Sequence, residues 1–296
     1  MARILGMIVV AACVVIAAGW AMTRPATVSE ADVAAITPDL EQGRLAFFAA
    51  GCASCHAEKG SEGDARLVLK GGVRLETEFG TFVAPNISPH PEAGIGGWST
   101  AEIVTAIMQG TSPGGQHYYP ALPYGSYARA ELQDLVSLAA FLQTLPPDPT
   151  PSQPNELSFP FTLRAGIGAW KLANGGTDWA VDVGEDPQLM RGRYLAETLG
   201  HCGECHTPRN ATQGLDTARW FAGAPNPSGR GNIPNITPAK LNWSEADIVA
   251  YLQTGFTPEF DVAGGSMTSV VQNMANLPVE DLEAIAAYMK AVPPVE

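Results

Sequence analysis

One pentapeptide occurs twice in this chain, first as Cys52-Ala53-Ser54-Cys55-His56 and again as Cys202-Gly203-Glu204-Cys205-His206. A C-x-x-C-H string is the attachment signature of a c-type haem. Two thiols separated by two residues on one helical turn can each form a thioether to a haem vinyl group, and the next histidine gives the iron a nitrogen ligand. The sequence therefore predicts two covalently bound haem c groups. Their attachment residues are Cys52, Cys55, Cys202 and Cys205, and their proximal ligands are His56 and His206.

Two other interpretations of each motif stay open at this point. A C-x-x-C pair can be a redox dithiol beside an incidental histidine, or it can be half of a zinc site. The chain has five cysteines, of which the two motifs use four, and the fifth, Cys13, lies in an N-terminal apolar run. The soluble part therefore has no thiol left for a disulfide or a catalytic nucleophile.

Length and charge narrow the class of protein. The 296 residues are 46% hydrophobic, which favours packed cores and leaves room for two modest domains. The formal net charge is −13 with only 17 basic residues, so nucleic acid is excluded as an expected partner. An acidic surface favours a basic protein partner or simply solubility.

The N-terminal run from Ile4 to Met22 contains no charged residue, and its 19 residues suffice to cross a hydrocarbon core. Because Arg3 precedes it, we expect a cytoplasmic start and export of the remainder. A cleaved signal peptide is the alternative, and the residues before Cys13 faintly resemble a lipoprotein cleavage site. We predict an uncleaved anchor within residues 1–24 of a bacterial cytoplasmic membrane protein whose soluble part faces the periplasm, where haem c is attached.

The soluble chain is an internal duplication. Pro85-Asn86-Ile87-Ser88-Pro89 returns as Pro234-Asn235-Ile236-Thr237-Pro238, and the Trp-Ser start of a capped helix occurs at Trp98 and again at Trp243. Each half has the order helix, haem loop, helix, loop, helix. We therefore predict a mainly α fold with two tandem domains, over residues 37–146 and 186–296, joined by a Pro-rich linker and connecting helix over residues 147–185.

Several local predictions complete this outline. Residues 25–36 are expected to be a flexible tether, and Thr37 is expected to cap the first helix ahead of Pro38. The stretch from His56 to about residue 80 is expected to lack regular structure, and residues 146–160, with six prolines, to be extended. A short helix over about 162–173 is expected to pack between the halves, and closing helices are expected at about 129–145 and at 279–291.

The second axial ligand of each iron is expected to differ between the halves. In the second half Met267 follows a Gly-rich loop that would let the backbone approach the haem, with Met274 as a competitor that is equally suited to core packing. The halves align on Trp98 with Trp243 and on Gly110 with Gly255, a constant offset of 145 that pairs Met267 with Leu122. Leucine cannot bind iron, so haem 1 lacks the expected methionine.

Three alternatives follow for haem 1. His117, five residues before Leu122, is a possible distal ligand that would give bis-His iron of lower potential. The iron could instead be five-coordinate beneath Leu122 and open to a small ligand. The third alternative is ligation by Met108 or His90.

Other side chains are candidates for roles around the haems. The carbonyl groups of Pro85 and Pro234 are expected to accept the proximal histidine N–H and orient the ring. His201 is expected to support the site or to lie at the surface. Arginine and tyrosine residues are candidates for neutralising or hydrogen-bonding haem propionates: Arg44, Arg209, Tyr118 and Tyr124.

With both motifs, the Pro-Asn-Ile-Ser/Thr-Pro loops, residues 119–124 (Tyr-Pro-Ala-Leu-Pro-Tyr) and residues 201–210 in view, the chain resembles the membrane-anchored multihaem cytochromes c related to subunits of bacterial alcohol and gluconate dehydrogenases. The resemblance covers roughly residues 37 to 292. It implies periplasmic electron transfer from a dehydrogenase or quinol toward a terminal acceptor. Dehydrogenase subunits of that family typically carry three haem domains, and members often have methionine where this chain has Leu122.

The leading functional hypothesis is therefore a dihaem electron-transfer protein rather than a stand-alone enzyme. Its expected partners are redox proteins: a dehydrogenase or quinol-oxidising complex, and a soluble cytochrome or an oxidase. Haem 2, with His206 and Met267, is expected to have the higher potential, so that electrons run from haem 1 to haem 2. The alternative is a peroxidase-like dihaem enzyme that uses an open haem 1.

Overall fold

The computed structural model describes residues 2–227, 229 and 231–296, and its architecture is mainly helical. The helices are α1 (Ala2–Met22), α2 (Glu30–Ala34), α3 (Leu40–Ala49), α4 (Cys52–His56), α5 (Thr100–Gln109), α6 (Tyr124–Tyr127), α7 (Leu132–Leu142), α8 (Ala165–Asn174), α9 (Pro187–Tyr194), α10 (Gly203–His206), α11 (Glu245–Thr254), α12 (Met267–Met274) and α13 (Val279–Ala291). A π-helical turn, Leu195–Leu199, extends α9, and 3₁₀ turns occur at Gly63–Leu67 and Thr217–Arg219. The strands are β1 (Arg74–Thr77), β2 (Gly80–Val83), β3 (Glu156–Leu157), β4 (Ala224–Pro225) and β5 (Asn232–Ile233).

The two halves repeat one packing scheme. In the first half α3 packs against α7 and α5 packs beside them; in the second, α9 packs against α13 with α11 beside them. The apolar core is continuous across both halves, since one cluster of buried side chains includes Phe47 and Leu135 from the first half and Leu199, Met274 and Leu282 from the second. The predicted mainly α fold is confirmed, and the two halves are packed together rather than merely strung in series.

Helix caps follow the local sequence signals. Ser99 and Glu102 form a capping box at the start of α5, and Ser244 and Asp247 do the same for α11.

The N-cap of helix α3 differs from the one that the sequence predicts. Its N-cap is Asp39, not Thr37, because the Asp39 carboxylate accepts hydrogen bonds from the two amides of the first turn, at 2.8 and 3.0 Å.

Two segments expected to be irregular are ordered. β1 and β2 form an antiparallel hairpin, and β3, contributed by the Pro-rich linker, adds to β2. An ion pair between Arg74 and Glu156 supports this sheet.

The segment before α3 also packs against the rest of the chain. Helix α2 has a Ser29 cap, Val33 is buried, and the Val28 amide donates to Thr105 Oγ1 at 3.0 Å. The flexible-tether prediction is therefore wrong for this segment.

Helix α8 lies between the halves, as predicted. Lys171 Nζ donates to the carbonyls of Gln109 and Gly110 at the end of α5, at 2.6 and 2.9 Å. On the other side, Trp170 Nε1 donates to the carbonyl of Thr212 in the second half, at 2.8 Å. The connecting helix therefore fixes one half against the other.

Helix α1 is the candidate membrane span. Over Arg3–Met22 it is 20 residues long with a mean hydropathy of 2.5, and none of that window is buried against the rest of the chain. At 1.5 Å per residue this length matches a hydrocarbon core of about 30 Å. A signal sequence near an N-terminus satisfies the same criteria, so the helix alone leaves both interpretations open.

Candidate haem-binding sites

Each C-x-x-C-H motif folds as a single helical turn, α4 in the first half and α10 in the second. A left-handed residue precedes each turn, Gly51 with φ 61° and His201 with φ 40°. Residues three apart on a helix share a face, so the two cysteines of each motif point the same way. All four are free thiols. This is the geometry that double thioether attachment requires.

Both motif histidines are held by a prolyl carbonyl. His56 Nδ1 lies 2.8 Å from the oxygen of Pro85, and His206 Nδ1 lies 2.9 Å from that of Pro234. Because a carbonyl can only accept, Nδ1 carries the proton and Nε2 keeps its lone pair. Burial lowers the pKa of both rings, with the prolyl hydrogen bond acting in the opposite direction, so both are neutral near pH 7. The expected prolyl contacts are confirmed, and they leave Nε2 suited to bind iron.

A glycine in each half makes this arrangement possible. The Gly71 amide donates to the His56 carbonyl, and the Gly223 amide donates to that of His206, both at 2.8 Å. Both glycines have positive φ, 76° and 82°. A Cβ on Gly71 would stand 2.5 Å from the carbonyl carbon of Pro85, and one on Gly223 would stand 2.8 Å from the nearest backbone atom. Only glycine allows the backbone so close to the histidine support.

The Pro-Asn-Ile-Ser/Thr-Pro loops recur because they clamp the end of each half. Asn86 Nδ2 donates to the carbonyls of Asp148 and Thr150, each at 2.8 Å, just after the first closing helix. In the second half Asn235 Nδ2 donates to the carbonyl of Val295 at 2.7 Å. The loop that supplies the prolyl carbonyl is thereby tied to the chain that follows α7 or α13.

The environment of the thiols separates the three interpretations of the motif. Burial raises the pKa of Cys52 and of Cys202 to about 12. Redox C-x-x-C pairs commonly have a depressed thiol pKa, and burial acts in the opposite direction here. Within the described residues no group of three or more His, Cys, Asp or Glu side chains could hold a metal ion, so the zinc interpretation finds no ligand set there. The residues present fit haem attachment.

The two motifs contact each other's halves reciprocally. Ser54, between Cys52 and Cys55, accepts a hydrogen bond from Asn273 Nδ2 of α12 at 2.8 Å. Glu204, at the same place in the second motif, accepts one from Ser126 of α6 at 3.3 Å.

A tyrosine of the first half adds a further link between the motifs. The Tyr127 hydroxyl donates to the carbonyl of Ala50 at 3.2 Å, and its ring packs edge-on against His201, with centroids 5.6 Å apart. Ala50 lies two residues before the first motif, and His201 lies directly before the second. The pKa of Cys55 is raised first by burial and then by repulsion from Cys205. The two haem-binding turns are therefore neighbours.

The hairpins that lead to the distal positions show the predicted offset. Thr111 bridges His117 in the first half, and Phe256 bridges Val262 in the second. The amide of Tyr118 donates to Gly110, and the amide of Ala263 donates to Gly255, at 2.8 and 2.7 Å. Equivalent residues of the two hairpins are 145 positions apart, which confirms the offset as far as Tyr118 and Ala263. Beyond the hairpins α6 begins two residues after Leu122, whereas α12 begins at Met267 itself, so the pairing of Leu122 with Met267 stays a prediction.

The competing methionine has a different place. Met274 is 4% exposed and belongs to the core cluster shared by the two halves, whereas Met267 is partly exposed at the first residue of α12. These surroundings favour core packing for Met274. Ligation by Met267 stays a prediction.

His117 has a partner outside the first haem motif. Its Nε2 donates to the carbonyl of Thr23, just after α1, at 2.8 Å, and the ring lies against Gly168 of α8. Iron ligation through Nε2 would require this hydrogen bond to break. His90, the other loop histidine, accepts from the amide of Ala93 at 3.1 Å through Nδ1, and Met108 packs at the edge of the core. The distal ligand of haem 1 stays among the three alternatives.

Comparison with known proteins assigns the family. The Cytochrome c family model matches residues 40–146. A diheme cytochrome c-type protein of Cereibacter sphaeroides is 55% identical over 280 residues, covering 95% of both chains. The chain belongs to the cytochrome c family.

Two further relatives are subunits of larger enzymes. The fructose dehydrogenase cytochrome subunit of Gluconobacter japonicus is 36% identical over 263 residues, which is 86% of this chain and 53% of the relative. The cytochrome c subunit of alcohol dehydrogenase (quinone) from Komagataeibacter europaeus is 33% identical over 277 residues, 88% of this chain and 58% of the relative. This cytochrome c spans little more than half of either subunit, and it is related to the electron-transfer subunits of dehydrogenases.

Three of the remaining candidate residues of this cytochrome c, Arg44, Arg209 and His201, have partners within the protein. Arg44 pairs with Glu41, and Arg209 pairs with Glu204. His201 Nδ1 lies 2.9 Å from the Leu199 carbonyl. The Tyr124 hydroxyl is buried without a hydrogen-bond partner among the described residues, and burial raises its pKa. Propionate contacts by Tyr124, Tyr118 and the arginines stay predictions.

Proposed function

We propose that this cytochrome c is a membrane-tethered dihaem electron-transfer protein of the periplasm. It would pass electrons from a dehydrogenase or quinol-oxidising complex to a downstream redox protein. The observation that carries the proposal is the pair of C-x-x-C-H turns, each with its histidine bound to a prolyl carbonyl, in contact across the two halves. Haem c, when bound, supplies an iron that gains and loses one electron reversibly.

The residues that would hold the two groups are named by the motifs. Cys52 and Cys55 would form the thioethers in the first half, and Cys202 and Cys205 would form them in the second. His56 and His206 would each offer Nε2 to an iron. The prolyl hydrogen bonds orient both rings and increase their basicity as ligands.

The chain gives its two irons different distal surroundings. Met267 is proposed as the second ligand in the second half, where a thioether raises the reduction potential. Leu122, which the sequence alignment of the halves pairs with Met267, cannot bind iron. Electrons are therefore proposed to enter at the first half and leave at the second.

Helix α1 is proposed as an uncleaved anchor in the bacterial cytoplasmic membrane. Its length and hydropathy suit a span, and haem c attachment requires the soluble part to be exported. Edman sequencing or intact mass of the protein purified from membranes tests this directly. A mature chain that begins after about residue 22 would overturn the anchor and leave the electron-transfer proposal intact.

The decisive experiment combines haem counting with carbon monoxide binding. Pyridine haemochrome analysis of the purified full chain is expected to give two haems per chain, and a redox titration is expected to resolve two potentials. One haem or none per chain would contradict the proposal. Ferrous spectra before and after carbon monoxide then report how many irons lack a firm distal ligand.

Leu122 also supports a second candidate function, that of a peroxidase-like dihaem enzyme with an open haem 1. In that case half of the ferrous haem would bind carbon monoxide, and the protein would turn over hydrogen peroxide with a reduced cytochrome as electron donor. Firm six-coordination of both irons, with no peroxide turnover, would eliminate this alternative and favour pure electron transfer.

A further inference from the structure

The hairpin between α11 and α12, residues 256–262, exposes three large apolar side chains beside the predicted distal loop. Phe256 is 53% exposed, Phe260 is 87% exposed and Val262 is 62% exposed. The chain then continues through a Gly-rich loop to Met267, six residues after Asp261. We call residues 256–262 the distal hairpin of the second half.

Phe260 occupies a turn position that disfavours a bulky side chain. Its φ is 64°, and its amide donates to the carbonyl of Thr257 at 2.9 Å. The corresponding residue of the first half is Gly115, with φ 70°. Glycine is the ordinary residue for such a conformation, whereas an aromatic residue with positive φ is an outlier of the kind that clusters at functional sites. The second half therefore has an exposed phenylalanine with a strained backbone conformation, where the first half has a glycine that adopts the same conformation without strain.

The equivalent hairpin of the first half, residues 111–117, is covered by the chain's own basic side chains. Arg164 donates to the carbonyl of His117 at 2.9 Å, and Lys171 of α8 donates to the last carbonyls of α5. The carbonyl end of a helix favours a cation. In the second half, no hydrogen bond among the described residues brings a basic side chain to the matching carbonyls of Val262 or of Thr254 and Gly255 at the end of α11.

The stretch of sequence that contains the distal hairpin of the second half is acidic. Between Lys240 and Lys290 the chain contains seven Asp or Glu residues and no Lys or Arg. Two of these acids, Glu259 and Asp261, flank Phe260 at the turn, and both are exposed. A second copy of this chain would bring the same negative charge and be repelled. A surface with basic residues around an apolar centre would complement it.

We propose that the distal hairpin of the second half is the docking surface for a basic redox protein that accepts electrons from haem 2. Phe260 enters an apolar pocket of that partner, and lysine or arginine side chains approach Glu259, Asp261 and the carbonyl end of α11. This inference rests on the proposed electron-transfer function and adds the face of the molecule at which electrons leave.

The test uses the full chain with both haems, held in nanodiscs through α1, and mitochondrial cytochrome c as a small basic redox protein. Binding is measured by titration calorimetry, and oxidation of the reduced chain is followed by stopped flow. Phe260→Asn removes the ring at a position where asparagine is well tolerated. It is expected to weaken binding about tenfold, as loss of an aromatic anchor does.

Matched variants separate the ring from the charge. Phe159→Asn removes a phenyl ring of similar exposure, 78%, from the linker and is expected to change neither measurement. Glu259→Gln with Asp261→Asn is expected to flatten the salt dependence of the association rate, because steering by surface charge is screened by salt. Equal effects of Phe260→Asn and Phe159→Asn, or binding that is insensitive to salt, would overturn the docking proposal.

Ferricyanide distinguishes failure of the docking proposal from failure of the electron-transfer proposal. If the reduced chain is oxidised by ferricyanide while Phe260→Asn has no effect with mitochondrial cytochrome c, only the docking surface is wrong. If neither oxidant works, the electron-transfer function itself is wrong. Hydrogen exchange over residues 256–262 supplies a readout apart from electron transfer. Protection by the lipid of the nanodisc alone, or by self-association in detergent, would contradict a basic protein as the occupant.

Discussion

The two halves of this cytochrome c are alike on the side of the proximal histidine and unlike on the distal side. The prolyl carbonyl, the close glycine and the clamping asparagine have direct counterparts in both halves. On the distal side, Met267 faces Leu122 in the alignment, and the exposed Phe260 faces Gly115. The duplicated fold thus preserves the parts proposed to hold the haems and varies the parts proposed to set their reactivity and their contacts. Two variants of one scaffold can then act in series.

Exchanging the distal residues between the halves is expected to have the largest effect. Met267→Leu gives the second half the residue of the first and is expected to create carbon monoxide binding at about half of the total haem, with a lower potential for haem 2, because the thioether ligand is gone. Ferrous spectra and redox titration measure both effects. Met274→Leu is the control and should leave ligation unchanged. A gain of carbon monoxide binding in the control variant would assign the ligand to Met274 instead.

The reverse exchange, Leu122→Met, gives the first half the residue of the second. It is expected to provide haem 1 with a thioether ligand and raise its potential toward that of haem 2. If wild-type haem 1 binds carbon monoxide, this variant should lose that binding. His117→Ala is the companion measurement, since a gain of carbon monoxide binding there would identify His117 as the native ligand. An unchanged spectrum in Leu122→Met would show that residue 122 does not face the iron.

The shared proximal architecture can be tested through its glycines. Gly71→Ala is expected to lower the free energy of unfolding by about 3 kcal/mol, and Gly223→Ala by about 2 kcal/mol, since each combines positive φ with a steric conflict. The larger effect is expected at Gly71 because its added Cβ stands closer to the prolyl backbone. Denaturant titration of the haem-loaded chains measures the difference. Losses below about 0.5 kcal/mol would mean that the histidine support does not depend on this close approach.

Much of this architecture follows from local sequence. The two C-x-x-C-H turns, the serine caps of α5 and α11, the ends at Gly110 and Gly255 and the prolyl contacts to the histidines are all specified by residues close in sequence or by repeated motifs. The offset of 145 residues between the halves is confirmed within the two hairpins, and the pairing of Met267 with Leu122 beyond them stays a prediction.

The features that sequence reasoning missed depend on distant partners. β1 and β2 are four residues each, too short for alternation to indicate a strand, and their third partner lies about 75 residues further along. The segment before α3 has one deeply buried apolar residue, Val33, and so weak an apolar pattern predicts a flexible tether. Asn273 and Ser54 are 219 residues apart, and neither carries a pattern that predicts the other.

The hydrogen bonds from each motif to the opposite half differ in number and length, so their removal is expected to cost different amounts of stability. Asn273 is buried and bonds to Ser54 and to Arg66 of the first half, whereas Ser126 makes one longer bond to Glu204. Asn273→Ala is expected to cost about 2 kcal/mol, because it leaves a buried guanidinium with fewer partners, and Ser126→Ala at most about 1 kcal/mol. Thermal unfolding of the two variants provides the comparison. Equal losses would argue against an unequal interface.

The smallest expected effect concerns the lysine that covers the first half and has no counterpart in the second. Burial lowers the pKa of Lys171 from 10.5 to about 8. Between these values the unfolded chain binds a proton that the folded chain does not, so this lysine makes stability rise with pH from about 8 to 10.5. Because the ammonium is half-exposed, the gain is about 1 kcal/mol. Lys171→Met should remove it, and identical pH profiles for both proteins would contradict the assignment.

The bond between His117 and Thr23 bears on how the molecule would sit on a lipid surface. Thr23 is the first residue after α1, and its carbonyl is already held by the first half. If α1 spans the membrane, the haem-bearing part of the chain is held close to the end of this helix, because no flexible linker separates the two. The protein would then reach its partners by lateral diffusion in the membrane. Only acceptors whose binding face lies at the same height above the bilayer would contact it.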